Sequence, residues 1–410
     1  MGSEMCIRDS LGGNRAYVAC VGRRHDMKLS ADTPWLADPK GQALCATLEN
    51  AGHQALFVGG CVRNAVLNEA ASDVDIATDA KPQRVKELAK AAGFQPVPTG
   101  IDHGTISVVV EGVGFEITTF RRDIETDGRR AVVAFSDRIE DDAQRRDFTM
   151  NALYAKSDGQ ILDPLGGLPD ALAGRVRFIQ DAAMRIREDY LRTLRFFRFS
   201  AYYGDPEVGF DPEALAAIAD TLDGLDSLSA ERVGAEMQKL LAARDPARSL
   251  ATMDQVGVLA RILPVQSLPA LAPLIAAEEQ TETPPDSLRR LAALNPIEAP
   301  ERLRLSRKDA RVLSDLIQAR DASLSPKALG YRLGETRGWD AFMLRQSGLG
   351  QPVDQATKAD VRSGSKCEFP VKAADLQPDF QGAALGEKLR ELEAQWLVSD
   401  LTLDRAALLG

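Results

Sequence analysis

Histidine and cysteine are the scarce residues of this 410-residue chain, which holds three of the first and five of the second. The histidines are His25, His53 and His103, too few for a metallohydrolase centre built on a histidine cluster. The cysteines (Cys6, Cys20, Cys45, Cys61 and Cys367) are scattered and contain no C-x-x-C pair. That pattern argues against a disulfide framework or a zinc site and for reduced thiols in a cytoplasmic protein. No apolar run approaches the roughly eighteen residues needed to cross a bilayer. The start carries no compact apolar stretch ahead of a small-residue cleavage site, so secretion is not expected. Positive charge is in deficit too: the net charge is −10. A nucleic-acid partner must therefore meet a local basic face rather than an overall positive field.

What is present is enough apolar residue, 44%, for substantial cores in roughly two to four domains. Residues 1–26 show no period and no helix start, and are expected to be a non-native or disordered leader with the natural start at Met27. From residue 55 to 165 strands and helices alternate. "ALFVGG", "DVDIAT", "TISVVV" and "GFEITTF" are rich in β-formers, and "PQRVKELAKAAG" reads as a helix with proline in its first turn and glycine past its end. Beyond Gly167 the strand signal fades, and "REDYLRTLRFFRFSAYYG", "AERVGAEMQKLLAA" and "SLATMDQVGVLARIL" are helical by apolar spacing. The fold class expected is α+β: a mixed-sheet head followed by an all-helical remainder.

Residues 57–78, "FVGGCVRNAVLNEAASDVDIAT", place two glycines after one strand and two aspartates at the start of the next. Asp73 and Asp75, at i and i+2 on a strand, leave by the same face. Hard carboxylates of this kind suit Mg²⁺, which shares its coordination with phosphates. An EF-hand is excluded, because Thr78 stands where its loop needs glycine. A D-x-D alone also fits a charged edge strand; the glycines favour the phosphate reading. Gly59 and Gly60 let backbone N–H groups approach a triphosphate, and Arg63 offers a guanidinium fork. No GK[ST] follows, so this is not a P-loop. Glu116 alternates with Phe115 and Ile117 and can supply a third acid from a neighbouring strand. Two metals held by such acids would activate a hydroxyl nucleophile and neutralise a departing pyrophosphate.

"GGCVRN", "SDVDIAT", "GIDHGTISV", "FEITTFRRD", "RRDFTMNAL", "DPLGGLPD" and "IREDYLRTLRFFRF" occur in that order. Together they resemble the class II CCA-adding enzymes and the related bacterial poly(A) polymerases, over roughly residues 50–240. The resemblance implies a polymerase-beta-like nucleotidyltransferase head at residues 27–165 and a base-recognising neck at 166–240. It implies a helical body at 241–330 and a tRNA-binding tail at 331–410. It implies CCA addition to tRNA from CTP and ATP with Mg²⁺, the alternatives being a poly(A) polymerase or a catalytically silent RNA-binding relative. Arg145, Arg146 and Asp147 of "RRDFTMNAL" would contact the nucleotide's sugar and phosphates. Asn64 departs from the aspartate common at its position.

Asp189 and Arg192, three apart on an expected helix, would share a face. Cytosine and adenine both present an amino donor beside a ring-nitrogen acceptor. An aspartate accepts from the first and an arginine donates to the second, whereas uracil and guanine reverse both polarities. The resemblance assigns these two residues that base-reading role, with Glu188 orienting. Glu231, Arg232 and Glu236 are expected to brace helices. The polar stretch from Arg121 to Arg145 is expected to be a mobile loop. "RLRLSRKDARVL" and "SPKALGYRLG" offer basic helical faces for tRNA phosphates.

Overall fold

The computed structural model describes residues 27–70, 73–101, 104–127 and 130–410. The expected leader and His103 lie outside them. The chain divides into two compact units, one reaching Arg192 and including Tyr203–Asp220, the other formed by Thr193–Tyr202 and Thr221–Gly410.

The first unit holds all the strands found among the described residues: β1 (Leu56–Val58), β2 (Asp75–Thr78), β3 (Gln95–Gly100), β4 (Thr105–Val110), β5 (Val113–Thr119), β6 (Arg121–Asp127), β7 (Arg130–Phe135), β8 (Tyr154–Lys156) and β9 (Ile161–Leu162). Seven form a mixed sheet in the order β3-β4-β5-β2-β1-β8-β9. Only β2 and β5 run parallel; the other ladders are antiparallel. The period-2 pattern explains the facing of the outer strands: Ile106, Val108 and Val110 of β4 and Phe115 and Ile117 of β5 are buried, while Glu116 is exposed. The short central strand β1 is buried along its whole length, as a strand covered on both faces must be. Leu56, Val58, Ala77, Phe120, Ala143, Ala152, Tyr154 and Ile179 form a core around it. The helix Pro82–Ala91 starts on its proline and stops ahead of Gly93, as its sequence predicts.

Three expectations are corrected in this unit. Strand β2 begins at Asp75, so Asp73 stands just ahead of it and is not set on its face by the pleat. The stretch after Arg121 is no open loop: β6 and β7 pair as an antiparallel hairpin, and the helix Ile139–Gln144 follows. The helix expected through "REDYLRTLRFFRF" is broken. One helix, Ala182–Glu188, ends where Asp189 takes an extended conformation (φ −156°, ψ 105°), and another runs Leu191–Tyr203. Asp189 Oδ1 accepts from the Leu191 N–H at 3.2 Å, so its side chain favours a helix start over helix continuation.

The second unit is helical throughout, and residues 163–410 contain no strand. Its interior carries charge. Glu278, Arg289, Arg290 and Asp340 are all at most 3% exposed. Glu278 Oε1 accepts from Arg289 Nε at 2.9 Å and its Oε2 from Arg290 Nη2 at 2.7 Å. Arg289 Nη1 donates to Asp340 at 2.6 Å, and Arg290 Nη1 to the carbonyl of Leu241 at 2.7 Å. Burial would lower the Arg289 pKa, but Asp340 and Glu278 reverse this and hold it above the ordinary value. The helix Pro326–Gly348 breaks its own ladder at Gly334 and packs on the helix Thr357–Gly364. Glycine makes that packing possible, since a Cβ on Gly330 would overlap the Val361 carbonyl and one on Gly364 the Lys327 carbonyl. A smaller core of Val371, Leu376, Leu392, Trp396 and Leu408 closes the C-terminal helices. Among the described residues no helix is long and apolar enough to cross a membrane.

Candidate active site

Strand register assembles the site. Val58, the last residue of β1, pairs with Asp75, and Asp75 pairs on its other side with Glu116. Two carboxylates thus sit on neighbouring strands directly beside the chain's exit into the glycine turn. The Asp75 pKa is raised by burial first, then by Glu116 and Asp73, with Arg146 acting in the opposite direction. Like charges have been brought together here against their own repulsion.

The turn itself needs glycine. Gly59 has φ +73°, and a Cβ there would also lie 3.1 Å from Arg146 Nη1. The helix Gly60–Val66 starts immediately after it, and the N–H groups of its first turn have no intrahelical acceptor. Two guanidinium groups flank the turn, because a Cβ on Gly60 would lie 3.8 Å from Arg63 Nη2. Arg146 is oriented by Asp142, whose Oδ2 accepts from its Nη2 at 3.0 Å and from the Tyr154 hydroxyl at 2.7 Å. Cys61 donates weakly to the Val58 carbonyl at 3.4 Å, and burial pushes its thiol up to about 11. It packs and does not react.

Arg63 is placed differently from the phosphate fork expected of it. It is 6% exposed, and its nitrogens donate inward. Nε and Nη2 reach Asn64 Oδ1 at 3.1 and 2.8 Å, Nη2 also reaches the Tyr203 hydroxyl at 2.7 Å, and Nη1 donates to Asn151 Oδ1. Asn151 Nδ2 in turn donates to Asp147 Oδ1 at 2.8 Å, which also accepts from the Phe148 N–H. Arg63 and Asp147 are therefore joined through Asn151.

A second group lies at the helix junction. Glu188 Oε2 accepts from Arg185 Nη1 and, at 2.5 Å, from Arg192 Nη1. Arg192 Nη1 also donates to the Arg185 carbonyl at 2.8 Å. Its Nε and Nη2 donate to no protein group among the described residues. Arg185 Nη2 donates to the carbonyls of Arg145 and Arg146 at 2.5 and 2.6 Å. A cavity of about 660 Å³, lined in part by Thr149, Phe178, Asp181 and Asp211, includes none of these site residues.

Residues 55–177 match the family described as the Poly A polymerase head domain, and residues 209–268 the probable RNA and SrmB-binding site of polymerase A. The human mitochondrial CCA tRNA nucleotidyltransferase 1 is 31% identical over 377 residues, covering 87% of this chain and 86% of the relative. The chain belongs to the CCA tRNA nucleotidyltransferase family. The CCA-adding enzyme of Leuconostoc mesenteroides is 43% identical over 221 residues, 52% of this chain and 53% of that one. Among solved structures, the Bacillus stearothermophilus CCA-adding enzyme in complex with CTP superposes with a TM-score of 0.67 at 26% identity, covering 88% of this chain and 94% of that chain.

In this nucleotidyltransferase, Asn64 does by dipole what an aspartate would do by charge. Its Oδ1 takes two Arg63 donors, and its Nδ2 donates to the Ala70 carbonyl at 2.6 Å, a bond that no carboxylate can make. Family members generally use divalent metals. The donor chemistry fits one, since Asp73, Asp75 and Glu116 are hard oxygen donors whose mutual repulsion a cation would relieve. Among the described residues no group of three or more His, Cys, Asp or Glu side chains is placed to hold a metal ion by itself. Mg²⁺ does not require one, being held by one or two carboxylates plus substrate phosphates. Sequence reasoning missed Asn151, Tyr154, Tyr203 and Arg185. Arg185, at i−3 from Glu188, and Asn151, at i+4 from Asp147, left local signals, whereas the bonds of Asn151 and Tyr203 to Arg63 join distant parts of the chain.

Proposed function

We propose that this protein adds C, C and A to the 3′ end of tRNA from CTP and ATP, releasing pyrophosphate, with Mg²⁺ as its ion. The observation that carries the reading is the register placing Asp75 between Val58 and Glu116, at the mouth of the Gly59–Gly60 turn. Asp73 and Asp75 would hold the ion, with Glu116 as the third acid beside them, and the ion when bound would neutralise phosphate charge and polarise the reacting phosphorus. The first-turn N–H groups at Gly60 receive phosphate oxygens, and Arg146, already oriented by Asp142, adds positive charge beside them. Phosphates held there leave the α-phosphorus open to the RNA 3′-hydroxyl. The new O–P bond forms as the bond to pyrophosphate breaks, and the hydroxyl's proton leaves to water.

Base choice is assigned to Asp189 and Arg192. Glu188 and the Arg185 carbonyl fix one Arg192 nitrogen, and its remaining donors are available to a base's ring nitrogen. Residues 27–165 are the catalytic head, 166–240 the neck, and 241–330 and 331–410 the body and tail, in a protein of the cytoplasm. In the second unit, Arg307, Lys308, Arg311 and Arg332 line a groove of about 590 Å³ in which Asp315 is the acid, a suitable surface for tRNA phosphates. The test is to supply the four nucleoside triphosphates singly to tRNA lacking CCA and to tRNA ending in CC, the acceptors for C and for A respectively, using wild type, Asp189→Ala and Arg192→Ala. Wild type is expected to incorporate C and A and to refuse U and G. Each variant should lose about ten- to a hundredfold of that discrimination, the range for one charged hydrogen bond. An equal loss for all four nucleotides would make the pair structural.

A further inference from the structure

We infer that Arg185 is a positioning residue for base selection, tying the "RRD" segment to the base-reading edge so that the two move as one. The inference rests on the base-reading role proposed for Asp189 and Arg192. Four contacts carry it. Through Nη2, Arg185 holds the main-chain carbonyls of both Arg145 and Arg146. Through Nη1 it holds Glu188. Through its own carbonyl it holds Arg192 Nη1. Arg192 and Glu188 close the loop with their own bond of 2.5 Å.

Arg185 is 3% exposed, so these bonds are made away from competing water. The guanidinium is a rigid plane, and fixing one nitrogen on the "RRD" carbonyls fixes where the other presents itself to Glu188. One carboxylate oxygen then serves two cations. Take Arg185 away and Glu188 belongs to Arg192 alone. Arg192 Nη1 keeps the main-chain carbonyl of residue 185 but shares a carboxylate that is no longer fixed, so its Nε and Nη2 are no longer held at one distance from the segment carrying Arg146. A nucleotide gripped by its phosphates near Arg146 would meet a base-reading edge of variable position. Discrimination between correct and incorrect bases suffers first, because it depends on both polarities being met at once. A residue that merely stabilised the fold would instead slow all nucleotides alike.

The experiment measures kcat/KM for CTP, UTP and GTP on tRNA lacking CCA and for ATP, UTP and GTP on tRNA ending in CC, with melting temperatures alongside. The variants are Arg185→Met, Arg185→Lys, Arg192→Ala and the double variant Arg185→Met/Arg192→Ala. Arg185→Met should lose about tenfold or more of the preference for CTP and ATP over UTP and GTP. Arg185→Lys keeps the charge and one point of donation but not the fork, so it should fall between wild type and Arg185→Met. The double variant should discriminate no worse than Arg192→Ala alone, since both act through one edge. Unchanged discrimination in a folded Arg185 variant, or single losses that multiply in the double variant, would overturn the inference. Should Arg185→Met not fold, Arg185→Lys decides by the same ratio. If Arg192→Ala itself leaves discrimination intact, the base-reading role fails and this inference with it; if only Arg192→Ala relaxes it, the base-reading role stands and the inference alone fails.

Discussion

Replacing Asp75 with alanine is expected to lower nucleotide addition by at least about a hundredfold, because one lost catalytic ion site removes several kcal/mol of transition-state stabilisation. The same change should leave the melting temperature unchanged or raise it. Asp75 faces Glu116 across the parallel ladder, and burial, Glu116 and Asp73 all act to raise its pKa. In the absence of an ion its charge opposes folding, and only Arg146 compensates it in part. Groups held in place at a cost to stability mark functional sites, so activity and stability should part company here. Steady-state incorporation and thermal melting of the one variant test both halves. Activity above about a hundredth of wild type would place the ion elsewhere, and a melting temperature that fell with activity would give Asp75 a structural role.

Removing Glu278 should do the reverse. Alanine at this position leaves the buried guanidinium groups of Arg289 and Arg290 with Asp340 as the remaining acid of the cluster, and Asp340 also accepts from Arg337 at 2.8 Å. Breaking a buried ion pair by deleting one partner typically costs about 3–5 kcal/mol. For a unit of this size that is a fall in Tm on the order of 10 °C. The helical unit should melt early by circular dichroism while the strand-bearing unit keeps its own transition. A fall of less than about 2 °C would mean that water or a rearranged side chain replaces the carboxylate.

The parts of the site that could be read in the sequence are those fixed by local period. Glu116 between Phe115 and Ile117 could be placed on the open face of a strand, and its pairing with Asp75 followed once the two strands were neighbours. Proline and glycine bounded the helix Pro82–Ala91. The parts that were hidden depend on distant partners. Arg63 reads as a phosphate ligand until Tyr203, 140 residues on, takes one of its donors. The break at Asp189 was hidden because the apolar spacing runs through it, while the aspartate's carboxylate caps the following helix. Strand β3 contains Pro96 and Pro98, which weaken any strand reading; it forms at an edge of the sheet, where a missing N–H is tolerated. "SLRRLAAL" looks like a helix with a charged outer face, and both arginines are inside because Glu278, Asp340 and the carbonyls of Leu241, Arg244 and Pro284 take their donors.

The family model matched by the head is shared in name with poly(A) polymerases, so the length of the product separates the two activities most directly. The measurement is gel analysis of tRNA lacking its CCA end after incubation with the protein and Mg²⁺. With CTP and ATP together, CCA addition predicts a single product three nucleotides longer and no further growth. A ladder of long A tails from ATP alone, on tRNA and on unrelated RNA alike, would contradict it.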